Sequence, residues 1–384
     1  MRDAFPRAAT AIVSTATHGI GEAPGQSAME LAVRASLLAL GRVGLTPADV
    51  DGLFIALPHD YFAGLGLAEY LGIHPRLTNN SRVGGSSFQT YVLWAALALA
   101  AGQCDVALIT YGSNQRTASG KLQSSLRPSP FEAPYQALTP ASAYALAASR
   151  HMHQFGTTRE QLAQVAVAAR QWAQRNPEAF MRDPLTVEQC LASRMVSSPL
   201  SVRDSCLVTD GAAALVMTRG DRARDLCLHP VYVLGAAEAT HHRMISTMPD
   251  LTVTAAAESG ARAYAQAGIG PQDVDVVQLY DAFTINTILF LEDLGFCPKG
   301  EGGRFVEGGR IAPGGSLPVN TNGGGLSCVH PGMYGLFTLV EAARQLAGEA
   351  GERQVSGAEI ALAHGNGGEL SSQATVVLGT GAAL

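Results

Sequence analysis

The chain has 384 residues, of which 47% are hydrophobic and 15% charged, with a formal net charge of −6. It is long enough for two or three core-forming units and too apolar for a disordered protein. Its acidic balance supplies no basic field for nucleic acid and no attraction to an anionic membrane surface.

Met1–Arg7 lacks the apolar stretch of a signal peptide. Leu31–Leu53 then reads as an Ala/Leu-rich helical pattern, a Gly44 stop, a turn at Pro47, an Asp49-Val50-Asp51 step and a strand-like run. A Gly/Ser loop, Gly84–Ser87, opens a helical run over Phe88–Ala101. That run holds the longest apolar stretch, Val92–Ala101, well short of the roughly 18 residues a membrane span needs. The strand candidate Asp105–Thr110 follows. Tyr111–Val202 differs in character: Pro128, Pro130, Pro134 and Pro140 precede helical runs such as Arg159–Arg175, and the segment reads as an inserted loop domain. Leu207–Thr218 resumes as an apolar strand.

Ala255–Val277 then repeats Leu31–Leu53. Gly268, Pro271, Asp273, Val274 and Asp275 stand 224 residues after Gly44, Pro47, Asp49, Val50 and Asp51. A Gly-rich loop, Asn322–Gly335, opens the helical run Leu336–Ala347, and Glu359–Ala363 reads as a strand. The expectation is a duplicated, five-layered α/β/α/β/α protein. One half covers residues 1–110 and resumes at about 203–228. The insertion covers 111–202, and the second half 229–384.

Three segments carry a family resemblance. Ser198–Thr218 (SPLSVRDSCLVTDGAAALVMT), Leu279–Thr284 (LYDAFT) and Asn320–Gly335 (NTNGGGLSCVHPGMYG) are similar to the DGAAA strand, the NEAF or HDCF motif and the NPxGGxxxxGHPxGxxG motif of the thiolase superfamily. The chain resembles that family over essentially its full length, closest to sterol-carrier-protein-x thiolases and lipid-transfer-protein-like homologues. The match implies the thiolase fold and a coenzyme A thioester as substrate, with no bound cofactor. It also implies a homodimer formed through the first-half sheet and a small OB-fold/zinc-ribbon partner protein. The pattern departs at its catalytic positions. Gly84 falls where the family places its nucleophilic Cys, His364-Gly365-Asn366 replaces the C-terminal CxG, and Tyr280 replaces the Asn or His of NEAF/HDCF. His330 of the His-Pro pair is retained.

The remaining residues suit acid–base chemistry. Gly84, Gly85 and Ser86 begin a helix, where unpaired N–H groups and the dipole favour an oxyanion. Ser86 or Ser87 can equally be a plain helix cap. His330 can polarise a carbonyl or move a proton. Tyr280 can take a proton from a substrate hydroxyl or donate to an enolate, or sit in the core with its hydroxyl bonded. Tyr334 is a second phenol candidate. His364 stands where the acid–base Cys is lost, and Asn366 and Gly367 adjoin it. Cys328 does not match the nucleophile's position.

Other signals are weaker. Six cysteines without a CxxC pair make no disulfide framework and no zinc site, which points to a reduced, cytoplasmic protein. His151/His153 and His241-His242 have spacings unsuited to a metal. Of 26 basic residues only Lys121 and Lys299 are lysines, both in segments that read as exposed loops, which disfavours Schiff-base chemistry. Lys299–Arg310 (KGEGGRFVEGGR) has the look of a phosphate-binding Gly/Arg loop, and the plainer reading is a mobile surface loop. The expected activity is retro-aldol cleavage of a β-hydroxyacyl-CoA without a Cys nucleophile. Thiolase-type acyl transfer and non-catalytic acyl-CoA binding are the alternatives.

Overall fold

The computed structural model describes residues 5–120 and 130–384. Lys121 and Pro128 lie outside the described residues, as do the first four. In chain order the first elements are β1 (Thr10–Gly21), α1 (Ala28–Arg42), β2 (Gly52–Ile55), α2 (Ala63–Leu71), β3 (Leu77–Asn79), α3 (Ser87–Ala100) and β4 (Val106–Ser113). Next come α4 (Gln115–Ser119), α5 (Ala141–Phe155), α6 (Arg159–Gln174), α7 (Val187–Leu191), and the short pair β5 (Met195–Ser197) and β6 (Leu200–Ser201). The chain continues with β7 (Asp210–Arg219), α8 (Gly220–Leu226), β8 (Val231–Thr240), α9 (Ala256–Ala267), β9 (Val276–Leu279), α10 (Thr284–Asp293) and α11 (Gly302–Phe305). It ends with α12 (Gly335–Ala347), β10 (Ile360–Gly367) and β11 (Ser372–Gly379).

The strands hydrogen-bond in the order β3-β2-β4-β7-β1-β8-β11-β10-β9. On one side β2 and β4 are parallel, and β4, β7 and β1 are antiparallel. On the other side β9 and β10 are parallel, and β10, β11 and β8 are antiparallel. The two half-sheets therefore have one topology, and they meet at two residue pairs, Ala11–Tyr232 and Ile12–Val231. Helix α1 packs on the outside of the first half-sheet and α9 on the outside of the second. Helices α3 and α12 lie between them, touching each other and strands of both half-sheets. This gives the five layers.

The repeated residues do the same work twice. Gly44 and Gly268 take φ of +69° and +72°, the left-handed turn that stops α1 and α9 and that glycine adopts without penalty. Asp49 and Asp273 accept the N–H of Thr46 and Gly270 at 2.8 Å. Asp51 accepts the N–H groups of Asp105 and Val106 at 2.9 Å, anchoring the start of β4. Asp275 accepts those of Glu359 and Ile360 at 2.8 and 2.9 Å, anchoring the start of β10.

Three expectations shift. Strand β4 runs on to Ser113, into the segment read as insertion, because Tyr111–Ser113 stay paired with Gly211–Ala213 of β7. Lys299–Arg310 is folded rather than loose: it forms α11 and a short turn, with Gly302 and Gly303 buried. Lys299 is not an exposed loop lysine either. Its Nζ lies 2.6 Å from Asp293 and 3.1 Å from the buried Glu292, so it is held as a paired cation. Among the described residues no helix is long and apolar enough to cross a membrane.

Candidate active site

A cavity of about 460 Å³ opens where the starts of α3 and α12 approach the ends of β9 and β10. Gly84, Gly85, Tyr280, His330 and Asn366 all line it. They come from four separate places in the chain, so the fold brings most of the expected residues to one wall.

His330 is held by its backbone and left open at its ring. Its N–H donates to Thr209 Oγ1 at 3.0 Å, and its carbonyl accepts from Gln115 Nε2 at 2.7 Å. Both ring nitrogens are buried with no hydrogen-bond partner. Burial pulls the imidazole down to about 4, so it is neutral at physiological pH. A buried, unpartnered imidazole is costly, which makes it conspicuous as a group waiting for a ligand.

Tyr280 follows β9, its N–H bonded to the His364 carbonyl of β10 at 3.1 Å. Its ring meets that of His330 edge to face, with centroids 5.6 Å apart. Burial raises the phenol well above its ordinary value, so it is a neutral donor. The next residue, Asp281, accepts the N–H groups of Gly325 and Leu326 at 2.6 and 3.4 Å. This ties the Gly-rich loop that leads to His330 against the strand end that carries Tyr280. Burial lifts Asp281 to about 7.

The start of α3 is a backbone surface. A methyl group on Gly85 would overlap the Tyr280 ring. One on Gly84 would stand 2.7 Å from backbone atoms of Gly367 and Gly368. Both glycines are therefore required by close approach rather than by helix capping. Of the two, Gly85 is the one whose missing side chain would point at the acid–base pair.

Four expected residues are placed otherwise. Ser86 is fully buried and turned away, its hydroxyl bonded to that of Ser372 at 3.0 Å. Gly367 packs against the Val83 carbonyl, and Gly368 takes the place on the cavity wall. Tyr334 lies behind the wall, stacked on His330 at 6.3 Å and donating to Asn322 Oδ1 at 2.9 Å. His364 is not brought to the cavity. It is enclosed in the core, with Nδ1 at 2.9 Å from Thr375 and Nε2 at 2.9 Å from Gln373. Cys328 is buried elsewhere, near Asn176.

Other residues on the wall carried no sequence signal. Tyr144 arrives from α5, stacks on Phe283 at 4.6 Å, and accepts from Asn366 Nδ2 at 2.9 Å. Its helical pattern resembled any core helix. Cys206 is the one thiol on the wall among the described residues, and burial holds it well above the ordinary thiol range. His242, Phe283 and Met333 complete the more apolar side.

Residues 237–380 match the model of the thiolase C-terminal domain-like family. The chain is 35% identical to an acetyl-CoA acetyltransferase of Methanothermobacter thermautotrophicus, over 93% of this chain and 96% of that one. It is 36% identical to the 17-hydroxy-3-oxo-4-pregnene-20-carboxyl-CoA lyase of Mycobacterium tuberculosis, over 88% and 91% of the two chains. Among solved structures, the Ltp2-ChsH2(DUF35) aldolase superposes with a TM-score of 0.89 at 32% identity, covering 97% of this chain and 98% of that one. Duplicated topology, shared motifs and full-length similarity agree: the chain is an enzyme of the thiolase superfamily, in its sterol-carrier-protein and lipid-transfer-protein-like branch.

Proposed function

We propose that this enzyme breaks the Cα–Cβ bond of a β-hydroxyacyl-CoA by retro-aldol cleavage, with no acyl-enzyme intermediate. The observation that carries the reading is the overlap at Gly85. The start of α3 presents no nucleophilic side chain to the cavity: Gly84, where the family places its Cys, is closed off by the backbone of Gly367 and Gly368, and the Tyr280 ring takes the room that a side chain on Gly85 would need.

Retro-aldol chemistry requires a base for the β-hydroxyl and a donor for the enolate oxygen. Neutral, unpartnered His330 accepts the hydroxyl proton. The Cβ–O bond becomes a carbonyl, the Cα–Cβ bond breaks, and its electron pair moves onto the thioester as an enolate. Tyr280 donates to the enolate oxygen together with backbone N–H groups at Gly84–Gly85. His330 returns the proton to Cα, leaving a ketone or aldehyde and a shorter acyl-CoA. The imidazolium formed midway is offset by the enolate charge, which answers the burial that depresses His330. The coenzyme A thioester enters as substrate, and no acyl-accepting cofactor is needed. The lyase and aldolase names of the relatives support this class of reaction.

A homodimer and a small OB-fold/zinc-ribbon partner belong to the same reading. The solved aldolase neighbour is named for two components, which supports a partner protein. The division into two halves around an insertion is likewise the proposed organisation, with the expected boundary at 110/111 moved past the end of β4 at Ser113 and the others kept at about 203–228 and 229–384.

The test is a panel of β-hydroxyacyl- and β-ketoacyl-CoA substrates, with mass spectrometry of products and intact protein. The expected result is carbonyl release from the hydroxy substrates, without added CoA and without protein mass gain. The second reading, acyl transfer, rests on the acetyltransferase relative and on Cys206 as the available thiol. CoA-dependent cleavage of ketoacyl substrates with an adduct on Cys206 would establish it and end the lyase reading.

A further inference from the structure

Asn366 lines the cavity, and its amide is the end of a buried chain of hydrogen bonds. Tyr144 Oη lies 3.1 Å from the Gly368 carbonyl, which can only accept. The phenol proton is spent there, so at 2.9 Å Tyr144 accepts from Asn366 Nδ2. Asn366 Oδ1 then accepts from Gln373 Nε2 at 2.8 Å. That leaves Gln373 Oε1 to accept from His364 Nε2 at 2.9 Å, so the proton of the neutral imidazole is on Nε2. His364 Nδ1 must accept from Thr375 Oγ1 at 2.9 Å, so at 2.9 Å Thr375 Oγ1 accepts from Ser259 Oγ, whose one proton it shares with the longer 3.4 Å contact to the Ala256 carbonyl. Every bond runs in one direction, from α9 through β11 and β10 to α5. Reversing either amide would set donor against donor at one end and acceptor against acceptor at the other.

We propose that His364 is a positioning residue that acts through Gln373 to hold the Asn366 amide with its nitrogen at the cavity. Of that amide's two N–H groups the second is uncommitted, so the wall there offers a donor to a carbonyl or enolate oxygen of the ligand. The same chain fixes the Tyr144 hydroxyl, which comes from outside the duplicated scaffold. His364 suits the place because neutral imidazole has one donor and one acceptor at opposite ends of a rigid ring. It lies on the same strand face as Asn366, about 7 Å deeper along β10, and its ring rests on Phe290 at 4.6 Å.

The test has a spectroscopic arm and a functional arm. Long-range 1H–15N NMR on the full chain reads the tautomer of His364 directly, independent of any reaction. The Nε2–H form at neutral pH is expected, and the Nδ1–H form overturns the proposal. The functional arm compares His364→Gln, which can still donate to Gln373 and accept from Thr375, with His364→Leu, which can do neither. Acetyl-CoA affinity by calorimetry and kcat for hydroxyacyl-CoA cleavage are measured on both. The Gln variant should stay within about threefold of the parent, while the Leu variant loses about tenfold in both. A folded Leu variant with unchanged affinity and kcat, or a Gln variant as weak as the Leu variant, overturns the proposal. Should the Leu variant not fold, the tautomer and the Gln variant decide. The kcat comparison rests on the lyase reading. If the parent cleaves no hydroxyacyl-CoA, that reading fails by itself, and the tautomer and acetyl-CoA affinity still judge the role of His364.

Discussion

The two halves of this chain begin their central helices in opposite ways. Before α3 the wall is bare backbone, Gly84 and Gly85, with no room for any side chain. Before α12 the equivalent loop carries His330, pinned through its backbone and open at both ring nitrogens. A duplicated scaffold thus supplies two similar helix starts and places side-chain chemistry on only one. The reason is steric. Tyr280 belongs to the second half, yet its ring fills the space in front of the first-half helix. A side chain at Gly85 and the ring of Tyr280 exclude one another, so the two positions are sterically coupled, while Gly84, where the family places its Cys, is closed off by the backbone of Gly367 and Gly368.

The largest expected effect comes from breaking the second-half side of this asymmetry. His330→Ala should lower kcat/KM for hydroxyacyl-CoA cleavage about a thousandfold, the range for loss of a general base. An activity within tenfold of the parent would remove His330 from the reaction. Tyr280→Phe keeps the ring that covers Gly85 and deletes only the hydroxyl, whose one direct acceptor is the Gly332 carbonyl at 3.5 Å. About a hundredfold loss in kcat with unchanged thermal stability is expected, as for removal of an oxyanion donor. If melting temperature falls in step with kcat, the hydroxyl is structural instead.

The steric coupling itself is testable by a double-mutant cycle. Gly85→Ala should cost about 1–3 kcal/mol through overpacking against Tyr280. The same substitution in a Tyr280→Ala background should cost less, because the obstructing ring is gone and the Asn366 carbonyl, 2.7 Å from the added methyl, is what still crowds it. Additive costs would show that Gly85 is needed for another reason.

The smallest effect is on the pH dependence of stability. His330 and His364 are each lowered by burial to about 4 from 6.5. Between those values the unfolded chain binds the extra proton, so their contribution is present above pH 6.5 and lost as pH falls toward 4. Asp281, raised to about 7, acts in the opposite sense, since its contribution fades as pH rises through that value. Subtracting the melting curves of His330→Ala from those of the parent cancels Asp281 and His364. The difference should grow in the parent's disfavour as pH falls from 6.5 to 4. A flat difference would mean that His330 has an ordinary affinity for protons.

How far the site was legible depends on what each residue answers to. Tyr280 and His330 stood out because they occupy catalytic positions of the motifs the chain shares with the family, at a strand end and in a Gly-rich loop. His364 adjoined the same kind of motif, but two residues of β10 place it one strand pair below the cavity floor, among Gln373 and Thr375. Ser86 looked like a cap or a donor, and a half-turn of helix aims it at Ser372. Tyr144 and Cys206 were invisible as site residues, because nothing local distinguishes a core tyrosine or cysteine from one that reaches a cavity wall.

The sequence by itself determined the duplication, the two anchoring aspartates and the turns at Gly44 and Gly268. Those features depend on short-range geometry: a left-handed turn, a capped turn, a strand start with unpaired N–H groups. The tertiary structure alone decided which side chains share the cavity. Gly85 and Tyr280 lie almost two hundred positions apart, and Asn366 is oriented through a relay that begins at Ser259. Exclusion of overlapping atoms and the one-way logic of buried hydrogen bonds act between segments that only folding brings together.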